Sequence, residues 1–169
     1  MKVFIKRYIG SSLQYQYEAK NIKTFSQGLT IPVQTFGLPE SASVEAILTK
    51  AEGNTEKITF AWTIKDEATS PALDSGGSAI NSFSRNSDST SWDPRTPEGA
   101  YVFLIEVFEK IGISTNEKYQ FQLYDDDNSK SLLSRFGIIS SINIAKGAQD
   151  PAVYNASIEF TVGEDVTVT

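Results

Sequence analysis

A single well-marked helix, residues 97–111, stands in a chain whose other periodic segments all alternate like strands, so any fold must bury that helix on a sheet. Its start is written into the residues. Thr96 can cap with its hydroxyl, Pro97 suits a first helical position where its missing N–H had no partner, and Glu98 sits at the positive end of the helix dipole. Gly112 is the natural stop. Tyr101, Leu104, Ile105, Phe108 and Ile111 recur at three- and four-residue steps and form one apolar stripe, with Glu106, Glu109 and Lys110 facing away. Val102, Phe103 and Val107 widen the stripe beyond what a surface helix needs. The helix is therefore expected between its own sheet and either a long loop or a neighbouring subunit.

The strand signals surround this helix. Residues 2–9 alternate around Val3, Ile5 and Ile9, and after Gly10-Ser11-Ser12 the alternation resumes with Leu13, Tyr15 and Tyr17, which predicts a hairpin. Residues 20–42 are less regular, with a short edge strand expected at 29–35 around Pro32. Residues 44–50 and 58–64 flank Glu52-Gly53-Asn54-Thr55 and read as a second hairpin, with Ile58, Phe60, Trp62 and Ile64 on one face. Beyond the helix, Tyr119, Phe121 and Leu123 alternate up to the turn at Asp125-Asp126-Asp127. Strands over 136–145 (Ile138, Ser140, Ile142 and Ile144 on one face) and 153–162 follow. Residues 163–169 are polar enough to fray or to add to a neighbour's sheet.

Residues 66–96 differ from all of this. They hold eight serines, four aspartates, two asparagines, two prolines and Gly76-Gly77, and their large apolar groups are Leu73, Ile80, Phe83 and Trp92. This composition predicts a long loop. A structureless loop of about 30 residues is uncommon in a compact domain and is usually functional or ordered by a partner. Phe83 and Trp92 are its candidate contacts between subunits, because a loop of this kind loses too much conformational freedom unless something orders it.

At 169 residues the chain is long enough for one domain with a real core. It lacks a run of about 18 apolar residues, and its N-terminus reads as a strand, not as a signal peptide. It contains no cysteine and no histidine, which removes thiolate and imidazole metal sites, the Ser-His-Asp and Cys-His arrangements, and the usual proton carrier near neutral pH. A formal net charge of −6 argues against binding the nucleic-acid backbone, where affinity comes from Lys and Arg releasing counterions.

The chemical motifs are weak. Asp74-Ser75-Gly76-Gly77 is similar to the nucleophile loop of chymotrypsin-like proteases, but without a histidine the serine has no base. A calcium loop beginning at Asp125 would need glycine and glutamate where Lys130 and Phe136 stand, so a solvated turn is the better reading. Asn155-Ala156-Ser157 matches a glycosylation sequon inside an expected strand. Catalytic, cofactor and metal residues are all read as none.

Three pieces occur in an order that carries a resemblance: the hairpin through Glu52-Gly53-Asn54 with its return Ile58-Thr59-Phe60-Ala61-Trp62; the helix Phe103-Leu104 to Phe108 leading through Gly112-Ile113-Ser114 into Tyr119-Gln120-Phe121; and the pair Gly137-Ile138-Ile139-Ser140 with Asp150-Pro151 to Val162. Together they resemble tail tube, tube-initiator and baseplate hub (distal tail) proteins of tailed phages and related contractile injection systems. The resemblance spans residues 44–163, leaving 1–43 as an N-terminal extension of strands and 164–169 as a tail of one domain. It implies a mainly β protein, an antiparallel β-sandwich or partly open barrel with one flanking helix and a long ordered loop (66–96). It further implies a non-enzymatic virion protein assembled in the host cytoplasm, whose copies form a ring, commonly sixfold, around a channel for DNA or cargo, in contact with other tail or baseplate proteins. The acidic chain suits a lumen that DNA slides through without specific binding. The rival reading is a carbohydrate-binding β-sandwich that stacks sugars on Trp92 and nearby tyrosines, with an acidic-pair glycosidase third.

Overall fold

The structure, a computed structural model, describes residues 1–30, 33–37, 46–50, 55–109, 117–125, 130–147, 150 and 152–163, with the backbone alone at 33–37, 46–50, 109 and 117. The main sheet is built from β1 (Lys2–Ile9), β2 (Ser12–Ala19), β3 (Ile22–Thr30), β6 (Thr55–Ile64), β7 (Ala72–Leu73), β10 (Glu117–Tyr124), β11 (Ser131–Lys146) and β12 (Tyr154–Val162). Its order is β3-β6-β12-β11-β10-β1-β2-β7, and every pairing is antiparallel. Two small hairpins stand beside it, β4 (Val33–Gly37) with β5 (Ala46–Lys50) and β8 (Phe83–Ser84) with β9 (Ser91–Trp92).

The sheet curls without closing into a barrel. β3 and β10 stand four places apart, about 19 Å across a flat sheet at about 4.8 Å per strand. Yet the rings of Phe25 and Phe121 lie only 6.1 Å apart, and Tyr17 of β2 meets Trp62 of β6 at 6.1 Å. The two ends of the sheet thus face each other across one core, filled by Val3, Ile5, Ile58, Phe60, Trp62, Phe121, Ile139, Ile158 and Phe160. Lys20 and Asn21 carry the chain across the gap between β2 and β3; Asn21 takes the left-handed conformation that asparagine tolerates, and its carbonyl accepts from the Thr63 N–H.

The β1–β2 hairpin forms as the alternation predicts, turning at Gly10 with φ +60°. Three expectations are corrected. The hairpin expected of 44–50 with 58–64 does not form over its described residues: β5 (46–50) pairs with β4, and β6 pairs with β3 and β12, so the return strand finds its partners far along the chain. Residues 22–28, which read as irregular, join 29–30 in a nine-residue edge strand, so the strand expected at 29–35 is divided between β3 and β4, with Ile31 and Pro32 outside the described residues. A bulge between Ile22 and Thr24, and an outer side that pairs with no other described strand, excuse β3 from strict alternation. Ile138 does not share a face with Ile142 and Ile144. A bulge between Ile139 and Ser141 adds one residue to β11, and Ile139, Ile142 and Ile144 point to the core while Ile138 points out.

The helix begins where the residues say. α1 (Pro97–Leu104) is capped by Thr96, whose Oγ1 accepts from the Gly99 N–H at 3.1 Å and donates to the Asp93 carbonyl at 2.8 Å. A π-helical turn, Ile105–Glu109, continues it; Ile111 and Gly112 lie outside the described residues. The buried stripe is rotated from the expected one: Ala100, Phe103, Leu104, Val107 and Phe108 face the core, whereas Tyr101 is 37% exposed. Phe103 owes its place to a cluster of rings, and Tyr101, whose hydroxyl would need a partner if buried, stays at the surface stacked on Tyr154.

Candidate functional site

The long loop over residues 66–96 is ordered, as expected, and its polar residues do much of the ordering. Asp74 accepts at Oδ1 from the Gly76 and Ser78 N–H groups, both at 2.8 Å. Asp88 accepts from the Thr90 N–H at 2.9 Å, and Asp93 takes the Arg95 guanidinium in a fork at 2.6–3.0 Å. These short side chains satisfy turn backbone that water would otherwise hold. β7 lines up along β2, and the Glu67 N–H bonds to the Arg95 carbonyl, tying the loop's two ends together.

Phe83 and Trp92 face each other as a cross-strand pair of the β8–β9 hairpin. Phe83 lays its ring on Phe103 at 5.1 Å and on Tyr15 at 6.4 Å, so the helix is held between sheet and loop. Trp92 lies under the Arg85 guanidinium, 5.3 Å from ring centre. Both are half-buried within the chain. Trp62, by contrast, is wholly in the core, stacked on Phe60 at 5.0 Å. Neither tryptophan contributes to an open aromatic platform.

Two surfaces stand out. The outward side of the helix shows Glu98, Tyr101, Ile105 and Glu106, and the hairpin reaches it through Asn86, whose amide donates to Glu106 Oε2 at 3.2 Å. The second is the outer face of β1, β10 and β11. There Leu132 (60% exposed), Phe136 (41%) and Ile138 (52%) form an apolar row that no core explains. Lys118 Nζ sits 5.2 Å above the Phe136 ring, Tyr8 meets the same ring at 5.8 Å, and Lys6 lies across the register through Gln120. The sequence hid this row because alternation alone does not say which side of a strand faces in; the exposed set became visible only once the bulge had placed Ile139 inside.

Clefts suited to chemistry are modest. A space of about 10 Å³ beside Tyr17 and Trp62 holds no more than a water, and a groove of about 250 Å³ is lined by Phe4, Lys6, Gln16 and Tyr124. Among the described residues no three Asp or Glu side chains converge as metal ligands, and no helix is long and apolar enough to cross a membrane. Asp126 and Asp127 lie outside the described residues.

Among the shifted groups are three carboxylates, held low by their partners, and two phenols, Tyr8 and Tyr17, raised first by burial. Arg95 holds Asp93 below the usual carboxylate range, the Thr90 backbone does so for Asp88, and Lys57 with Ser140 for Glu159. Burial pushes the Tyr17 hydroxyl well above the usual tyrosine range, the Trp62 indole pulling partly back and the charge of Glu67 adding to the rise. The carboxylates, depressed in the fold, contribute stability that is present above about pH 4 and lost on acidification; Tyr17, raised in the fold, contributes stability that is complete below about pH 10 and lost above it. With no histidine to titrate between them, the melting temperature is expected to be flat from about pH 5 to 9 and to fall on both sides. Tyr17→Phe should flatten the alkaline fall in a thermal melt; an alkaline limb unchanged by that substitution would assign the loss to another group.

No protein-family model matches the chain, and no curated protein matches it by sequence. Among solved structures it is similar to a chain from the tail of an empty GTA (gene transfer agent) particle reconstructed with C6 symmetry, at 12% identity over 96% of this chain and 92% of that one, with a TM-score of 0.51. It also aligns with the tube-terminating cap of the anti-feeding prophage, at 7% identity over 95% and 84% of the two chains and a TM-score of 0.43. The first of these likenesses establishes the shared fold: a mostly antiparallel β architecture with one short helix.

Proposed function

We propose that the chain is a structural subunit of a phage-like tail, a ring-forming tube, tube-initiator or hub protein that surrounds the channel for DNA or cargo. The observation that carries this reading is the likeness in fold, over 96% of this chain, to a chain of a tail with C6 symmetry. The apolar row on β11 supports it, because a subunit buried by its neighbours keeps hydrophobic side chains where a solitary protein would place polar ones. In this reading the chain has no catalytic task, works in the virion, and lets nucleic acid pass without specific contacts. Phe83 and Trp92 serve as subunit contacts: each uses one side of its ring to order the loop and leaves the other for the adjoining copy.

Light scattering across a concentration series, followed by negative-stain imaging of any large species, tests the reading. Rings or stacked rings are expected, and stack height separates a polymerising tube subunit from a single-ring hub. A strict monomer at every concentration, alone and with the other tail proteins, would sink the ring-subunit reading.

A further inference from the structure

Resting on that reading, we infer that two surfaces of this chain meet head to tail between neighbouring copies: the outward side of the helix and loop of one copy against the outer face of β1, β10 and β11 of the next. The occupant of the apolar row is thus a second copy of this chain, and the assignment comes from charge. Residues 66–106 carry seven carboxylates and two arginines, and the exposed side of the helix is an apolar pair, Tyr101 and Ile105, with Glu98 and Glu106 beside it. The outer positions of β1, β10 and β11 are the reverse. They comprise Lys2, Phe4, Lys6, Tyr8, Lys118, Gln120, Gln122, Tyr124, Leu132, Ser134, Phe136 and Ile138, with three lysines and no carboxylate. Lys2 is neutralised by Glu18 at 3.1 Å, but Lys6 has no ion-pair or hydrogen-bond partner among the described residues, although burial already disfavours its charge. A half-buried lysine left without a carboxylate is supplied with one if an acidic surface lies over it.

The two surfaces are different patches of one chain, so their contact is heterologous, the type that generates rings when the rotation closes and filaments when it does not. A two-fold dimer would instead set lysine against lysine across the strip, which like charge opposes. Each surface centres on exposed apolar groups edged by charge of one sign, an arrangement that gives burial and register together.

The test uses two charge-reversed chains. One carries Lys6→Glu and Lys118→Glu; the other carries Glu98→Lys and Glu106→Lys. Each alone should require at least about tenfold more protein to assemble than the parent, because like charges then face each other at every contact. Mixed in equal amounts, the two should assemble again, since alternating copies restore opposite charges at both kinds of contact. Ile138→Asp should weaken assembly of the parent while leaving its melting temperature unchanged. If the parent forms rings and the reversed chains do so equally well, or if their mixture stays dispersed, the head-to-tail assignment is overturned and the tail reading stands. A parent that never assembles defeats the reading beneath it.

Discussion

Phe103→Ala should cost about 3–5 kcal/mol and lower the melting temperature by roughly 10 °C or more, making it one of the most damaging single truncations in the chain. Phe103 has no exposed surface, and its ring is where the three layers of the protein meet. It contacts Tyr15 at 5.9 Å and Tyr17 at 6.3 Å on β2, Phe83 at 5.1 Å on the loop hairpin, and Phe108 at 6.2 Å on its own helix. Removing the ring leaves a cavity bounded by other rings, which are stiff and collapse poorly into it. Phe83→Ala is the informative comparison. Phe83 is already half-exposed and should cost clearly less, while freeing the hairpin to local opening. Chemical denaturation of the two variants measures both; equal losses would mean that the loop, and not the helix, anchors the layer.

Gly99→Ala is expected to be nearly as severe, for a reason that involves no lost contact. A Cβ at Gly99 would stand 1.8 Å from the Asp93 carbonyl oxygen and 2.9 Å from the Pro94 nitrogen, backbone atoms that a side-chain rotation cannot move. The segment from Asp93 to Thr96 would have to retreat from the first helical turn. That retreat would break the Thr96 cap, worth about 1 kcal/mol, and add overpacking strain of about 1–3 kcal/mol. A fall of roughly 2–4 kcal/mol in unfolding free energy is expected from the sum. Gly28→Ala supplies the control. A Cβ there meets nothing within 4 Å, in a strand where glycine only adds freedom to the unfolded chain, so the change should be neutral or slightly stabilising.

The features legible in the sequence were the local ones. The cap at Thr96, the hairpin at Gly10 and the inward side of Ile58, Phe60, Trp62 and Ile64 each follow from a few neighbouring residues, and each is present. Choices made by distant partners were not legible. Nothing near residues 46–50 reveals that they pair with 33–37 and not with 58–64, and a bulge at Ser140 adds one residue without any glycine or proline to announce it. That the loop over 66–96 is ordered was expected, but how it is ordered was not legible. Its serines and aspartates lower the average hydrophobicity that signals order, while the same residues close the turns at Asp74, Asp88 and Asp93. Phe83 and Trp92 were singled out as contacts between subunits; composition could not show that each also has a partner within the chain, Phe103 for the one and Arg85 for the other.

The position of β1 between β2 and β10 has a consequence for synthesis. Tyr8 donates to Gln120, 112 residues further on, and the whole of β1 is registered against Glu117–Tyr124. A ribosome working at about 5–20 residues per second therefore releases the β1–β2 hairpin several seconds or more before the strand that completes it exists. Through that interval one edge of β1 is open to any other nascent strand, and pairings this remote are intrinsically slow to find. Lys6 and Arg7, next to each other on that strand, put positive charge on every copy, and like charge opposes the pairing of identical hairpins along the open edge.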